Sequence, residues 1–270
     1  MKIIKNIFEL NKAIKNYKNI GFVPTMGGIH KGHISLIKNS QKIKAETIVS
    51  IFVNPTQFNE KKDFNNYPRN IEKDIDILKK LKTNYLFLPE IKEIYKEKKK
   101  KFVLKKSEKI LCAKFRKGHF EGVLDVMNRL LSLIKAKHIF MGEKDFQQFF
   151  LVKKILGKKH KIKIISCPTI RDKNKIALST RNSLLKYKSK KIVSSIALKL
   201  LRLKKNLISK NYKNKINLSR IKKEIEMNYK IKIDYLEFRD EKNLKLNDFK
   251  KKYRLFIAYT IDNVRLIDNF

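Results

Sequence analysis

The stretch GFVPTMGGIHKGHISLI, Gly21 to Ile37, decides how this chain is read. An apolar β-type run, Ile20 to Val23, ends in Pro24-Thr25 and is followed by a Met-Gly-Gly turn. His30 and His33 come next with Gly32 between them, and Ile34, Leu36 and Ile37 then fall at helical spacing. A strand, a glycine turn and a helix N-terminus in that order form an anion site. Free N–H groups and the helix dipole favour phosphate there, and glycine lets the backbone come close. Two imidazoles at the same point add donors. The expectation is a nucleoside triphosphate held and attacked at this turn.

Working outward, Ile7, Leu10, Ala13 and Ile14 predict a helix before the first strand. ETIVSIFVNP reads as a buried parallel strand, Ile71 to Leu81 as an amphipathic helix, and Tyr85 to Leu88 as a strand stopped by Pro89. The lysine-rich stretch to about Ile110 reads as short strands and loop. Gly122 to Ala136 returns to helical spacing, HIFMG reads as a strand, DFQQFFLVKKIL as a helix, and KIKIISCP as a strand closed by Pro168. Alternation of this kind implies an α/β fold, a Rossmann-like parallel sheet with helices on both faces. Ligands in such sheets sit at the carboxyl ends of strands. PTMGGIHKGH, NPTQF and MGEKD all stand at such ends, which predicts one pocket built from three separated segments.

The character changes after Arg181. Two helical regions, about Leu184 to Leu207 and Ser219 to Tyr229, precede the strand-like runs IKIDYLEF, YRLFIAYT and NVRLID. Residues 1–169 are therefore expected to form the sheet domain and 170–270 a smaller α+β domain, with no Pro/Gly/Ser linker between them.

With 66 Lys+Arg against 25 Asp+Glu, the net charge is +41, which alone points to nucleic acid or an anionic membrane. Yet the lysines run from end to end beside abundant Ile and Asn, as compositional drift would leave them, whereas binding footprints cluster. KEKKKK (Lys96 to Lys101) and LKLLRLKK (Leu198 to Lys205) are the local concentrations, and both read as solvated faces. No specific nucleic acid and no membrane is expected. Cys112 and Cys167 lack metal-ligand spacing, and the N-terminus has no sustained apolar core of a signal peptide, so a reduced, cytoplasmic protein is expected.

PTMGGIHKGH, SIFVNPTQF followed by YPR, GHFEGV, GEKDFQQ, LSTRN and RLIDN occur in that order. Together they resemble the pantoate–β-alanine ligase family within the HxGH nucleotidyltransferases, nearly end to end. The HxGH turn alone would give only the superfamily; NPTQF and GEKDFQQ give the family. The resemblance implies a Rossmann-like ATP domain with a smaller lid domain, usually as a homodimer. It implies a reaction in two steps, with pantoate adenylated by ATP and the adenylate then attacked by β-alanine.

Position by position, the resemblance places Met26, Gly27, Gly28, Ile29, His30, Lys31, Gly32 and His33 along ATP, with His33 as proton donor and His30 beside it in catalysis. Gln57 matches a glutamine that binds pantoate and lies near β-alanine, and Gln148 a second pantoate glutamine, Gln147 being structural. Gly142, Glu143, Lys144 and Asp145 match an ATP segment in which Lys144 meets the phosphates as a flexible point charge. Ile170 matches a backbone contact on the adenine side, and Leu178, Ser179, Thr180 and Arg181 a clamp on the phosphates. Asp74 matches an acidic position near Mg2+, or is simply an exposed helix residue.

Departures are Lys117 where proline is common, predicting a looser loop, Thr180 for a serine, Lys175 where glycine is common, and Leu124-Asp125 where small hydroxyl residues are usual. Two other readings stand open at this point. One is a different HxGH transferase making a dinucleotide or a CDP-linked product; the other is a nucleic-acid-binding protein driven by charge.

Overall fold

In the computed structural model, residues 1–59, 61–97, 101–209, 216–246 and 252–270 are described. The chain divides into two compact units, Met1–Ile170 and Arg171–Phe270.

The first unit alternates strands and helices: β1 Lys2–Ile4, α1 Ile7–Ile14, β2 Ile20–Thr25, α2 Lys31–Lys42, β3 Glu46–Ile51, α3 Lys61–Asn65, α4 Ile71–Lys80, β4 Tyr85–Phe87 and α5 Ile91–Ile94. It continues with α6 Cys112–Phe115, α7 His119–Ile134, β5 His138–Gly142, α8 Phe146–Val152 and β6 Lys163–Cys167. All pairings in the six-stranded sheet are parallel, in the order β1-β4-β3-β2-β5-β6. Val23, Val49, Leu86 and Phe140 join Leu36 and Ile37 of α2 and Leu78 of α4 in one core cluster. Phe22, Ile48, Phe87 and Ile139, one residue away along their strands and so facing the other side, have no exposure at all. A sheet buried on both faces is why these strands read as unbroken apolar runs rather than alternating ones. Helix starts follow local chemistry: the side chains of Asn6 and Asn70 accept the Glu9 and Lys73 amides and cap α1 and α4.

Three details differ from the sequence reading. β1 is an edge strand of three residues, too short to show a period, and it pairs with β4. The lysine-rich stretch contains no strand among its described residues, forming instead α5 and a 3-10 turn at Lys106–Glu108; residues 98–100 of the KEKKKK run lie outside the described residues. DFQQFFLVKKIL is not one regular helix, since a 3-10 turn (Glu143–Asp145), α8 and a π-type turn (Lys153–Gly157) follow one another.

In the second unit, α9 Tyr187–Ser209 and α10 Leu218–Tyr229 precede an antiparallel sheet, β7 Lys232–Asp240, β8 Tyr253–Ile261 and β9 Val264–Asn269. Its core holds Ile196, Leu200, Ile225, Leu255 and Ile257. Arg171 forms a bidentate pair with Asp268 at 2.7 and 2.8 Å. In the next turn Asp172 Oδ1 accepts from the Asn174 and Ile176 amides. Lys175 keeps this turn closed at φ +65°, the left-handed conformation that glycine adopts without strain. Among the described residues no helix is long and apolar enough to cross a membrane.

Candidate active site

The chain leaves β2 for β3 and β4 on one side of it, and later returns to place β5 and β6 on the other. The strand order therefore reverses between β2 and β5, and the crevice outside their carboxyl ends is where such sheets bind ligands. The Met26–His33 turn follows β2, the Asn54–Gln57 turn follows its neighbour β3, and Gly142–Asp145 follows β5.

Gly27 and Gly28 have φ of +84° and +65°, so the turn depends on glycine. Three of its amides, however, are engaged within the protein. The Gly27 N–H donates to Thr25 Oγ1 at 3.2 Å, and the Gly28 and Ile29 N–H groups donate to the two oxygens of Asp74 at 2.8 and 2.7 Å. Of the expected free backbone N–H groups, those of Gly28 and Ile29 are thus taken by a carboxylate of the protein itself. Asp74 lies in the first turn of α4 and is only 2% exposed, which disposes of its reading as a surface residue. Each of its oxygens accepts one amide of the turn, which leaves each a further lone pair. Among the described residues no group of three or more His, Cys, Asp or Glu side chains could hold a metal, so a magnesium here would rest on this one carboxylate and the phosphates of a nucleotide.

His30 is the N-cap of α2, its Nδ1 accepting the Gly32 amide at 3.1 Å, while the His30 amide donates to His33 Nδ1 at 3.4 Å. With each Nδ1 accepting, the proton of each neutral ring belongs on Nε2. The rings stack with centroids 4.1 Å apart. Burial first, and then the Lys144 ammonium, bring the His30 pKa down to about 4, with Asp145 acting the other way. For His33 burial again leads, followed by His30; Asp145 opposes, Lys144 reinforces, a bond to the Gly28 backbone opposes, and the pKa comes to about 3. Both rings are neutral at pH 7. The influence of Lys144 and Asp145 on both imidazoles shows that GEKD and HxGH share one locality. Lys144 itself sits 3.4 Å from the Asp145 carboxylate.

Gln57 closes a short 3-10 turn, Pro55–Gln57, and is 8% exposed. Its Nε2 points at Met26 Sδ, 2.6 Å away, so NPTQF also reaches the first motif. Its carbonyl accepts from His119 Nδ1 at 2.7 Å and from Arg116 at 3.2 Å. Arg116 also contacts His119 Nε2 at 2.9 Å, and since arginine only donates, Nε2 accepts and Nδ1 carries the proton. The Lys117 carbonyl accepts from Asn59 Nδ2 at 2.7 Å, a tie between this loop and the end of the NPTQF segment. A Cβ on Gly122 would come within 2.5 Å of the Thr56 carbonyl, so only glycine lets α7 approach this turn.

Gln148 is half-buried in α8, whereas the Gln147 amide donates to the Ile110 carbonyl, as a structural residue should. Lys31 is exposed at the start of α2; Gly142 and Glu143 are half-buried after β5; Ile170 ends the first unit beyond β6. Leu178, Ser179, Thr180 and Arg181 belong to the second unit, where Ser179 Oγ accepts the Arg181 amide at 3.3 Å and caps a 3-10 turn. Residues that the sequence reading missed are the supports of Gln57: Asn54, Tyr95, Arg116 and His119. The buried histidine of GHFEGV was the visible signal for one of them.

Residues 2–270 match the family model described as Pantoate-beta-alanine ligase. The chain is 36% identical to the pantothenate synthetase of Thermosipho africanus, over 100% of this chain and 99% of that protein. A crystal structure of pantoate-β-alanine ligase from Francisella tularensis, complexed with β-γ ATP and β-alanine, is 38% identical, with a TM-score of 0.84 over 100% of this chain and 97% of that one. Pantothenate synthetase from Thermus thermophilus is 28% identical with a TM-score of 0.91, covering 100% and 99% of the two chains.

Proposed function

Because the chain belongs to the pantoate–β-alanine ligase family, we propose that it joins pantoate to β-alanine through a pantoyl adenylate. A pantoate carboxylate oxygen attacks the α-phosphorus of ATP, the α–β anhydride bond breaks, and pyrophosphate leaves. The amine of β-alanine then attacks the acyl carbon, the acyl–phosphate bond breaks, and AMP departs as the amide loses its proton. Adenylation turns a poor acyl donor into a good one.

The observation that carries this reading is the meeting of the HxGH, NPTQF and GEKD motifs at the strand-order reversal. In the proposal the phosphates lie along Met26–His33 and Gly142–Asp145, with Lys144 supplying positive charge and His30 a neutral N–H. Phosphate oxygens beside the imidazoles raise their pKa values, which lets His33 serve as proton donor once ATP is bound. Gln57 and Gln148 hold pantoate, and Gln57 also serves β-alanine. Ile170 meets the adenine side, and Leu178–Arg181 of the second unit, acting as a lid, clamps the phosphates. Magnesium enters on the triphosphate, as it commonly does. A homodimer in the cytosol is the proposed setting.

The test follows AMP with ATP, pantoate and β-alanine together, and pantoate-dependent exchange of pyrophosphate into ATP with β-alanine left out. AMP should need all three substrates, and exchange should need only pantoate. His33→Ala and Lys144→Ala should each lose about 100-fold or more in rate. No AMP from folded protein, or pyrophosphate release that needs a phosphorylated acceptor instead of pantoate, overturns the reading.

A further inference from the structure

A glutamine amide can offer a ligand either its oxygen or its NH2 group, and the surroundings of Gln57 decide which. Asn54 is 1% exposed, and its Oδ1 receives three donors: the Tyr95 hydroxyl at 2.8 Å, the Thr56 amide at 3.2 Å and the Thr56 hydroxyl at 3.1 Å. Three donors fix that atom as the oxygen. Asn54 Nδ2 must then face the Gly122 carbonyl, at 3.1 Å, and Gln57 Oε1, at 3.5 Å. The oxygen end of Gln57 is thereby met from behind. Its NH2 end is turned to the Met26 thioether, a weak acceptor that a carboxylate oxygen readily outbids.

Tyr95 is itself built into place. The Arg129 guanidinium lies 4.6 Å from its ring centroid, while Arg129 donates to the carbonyls of Ile94 and Glu97 and is paired with Asp125. The Arg129–Asp125 ion pair, 3.0 Å, thus anchors the arrangement. Burial pushes the phenol up, which keeps it a donor across the working pH range.

We propose that Tyr95 is a positioning residue which, with Thr56 and through Asn54, turns the Gln57 amide so that it presents a hydrogen-bond donor, and so selects an anionic oxygen at that subsite. The proposal rests on the ligase reading for the identity of the anion, pantoate.

The experiment uses the full chain with Tyr95→Phe, which keeps the ring and its contact with Arg129, and the double variant Tyr95→Phe/Thr56→Val. Steady-state AMP formation gives KM for pantoate and for ATP separately, and calorimetric titration of pantoate gives affinity without turnover. Pantoate KM and Kd should rise about 3-fold in the single variant and about 10-fold or more in the double, with the ATP KM unchanged. An unchanged pantoate KM in the double variant overturns the proposal. So does a parallel rise of both KM values with a lower melting temperature, which marks a merely structural role. Wild-type protein that binds pantoate with the expected ranking of variants, yet makes no AMP, overturns the ligase reading and leaves the positioning role standing. Wild-type protein that does not bind pantoate overturns both.

Discussion

Two imidazoles stacked 4.1 Å apart are costly to protonate, first because both are buried, and then because Lys144 opposes a charge on His30 and His30 opposes one on His33. A histidine whose folded pKa lies below its ordinary 6.5 binds fewer protons folded than unfolded. Stability from this pair is therefore complete above pH 6.5 and falls as the pH drops towards about 4 for His30 and about 3 for His33. Urea unfolding at a series of pH values should show His33→Asn losing less stability between pH 6.5 and 4 than the parent chain; equal slopes would contradict the assignment. His30, His33, Lys144 and Gln57 were legible in the sequence because each sits inside a short motif beside a strand end. Tyr95 and His119 were not, and Asp74 was named by resemblance but not for its hold on the turn, because each acts on a residue 41 to 62 positions away, where no spacing rule reaches. Asp74 in particular sits in a helix turn that sequence alone allows to face solvent.

At the scale of the element, the helix and turn ends are unusual. Lys44, Lys82, Lys135, Lys161, Lys175 and Lys230 all have φ between +50° and +65°. Lys44, Lys82, Lys135 and Lys230 follow helices, at ends where glycine is the default because a Cβ is penalised in the left-handed region. Lys135 closes α7 with its amide on the Leu131 carbonyl, and its side chain is exposed. Lys135→Gly and Lys175→Gly should each stabilise by about 1 kcal/mol, raising the melting temperature by ~2–4 °C; a fall would show that the lysine stems pack favourably. The helices were readable because period and burial agree in them, and the central strands because burial on both faces leaves unbroken apolar runs. β1, the 3-10 and π turns, and the loop leading to His119 were not, because tertiary hydrogen bonds decide them and no repeat is long enough to show.

For the molecule as a whole, a net charge of +41 is a self-repulsion that the fold must overcome. The screening length shrinks from about 30 Å at 0.01 M salt to about 8 Å at 0.15 M. The melting temperature should therefore climb between those concentrations, and a salt-independent value by differential scanning calorimetry would refute this. Composition alone suggested a partner for the charge; the spread of lysine from end to end, without a clustered footprint, argued against one. The six-stranded parallel sheet follows the alternation of strands and helices, and the separate three-stranded antiparallel one follows the three consecutive strand-like runs near the C-terminus. Strand order could not be read the same way, since crossover connections leave no trace in local pattern.

The capture of the glycine turn by Asp74 also sets terms for inhibitor chemistry. A sulfonate or phosphonate aimed at the Gly28 and Ile29 N–H groups would find them already matched, and could reach them only by expelling a buried carboxylate. A fragment that carries an acceptor to the Nε2 edge of His30, the edge the turn does not engage, works with the fold instead of against it.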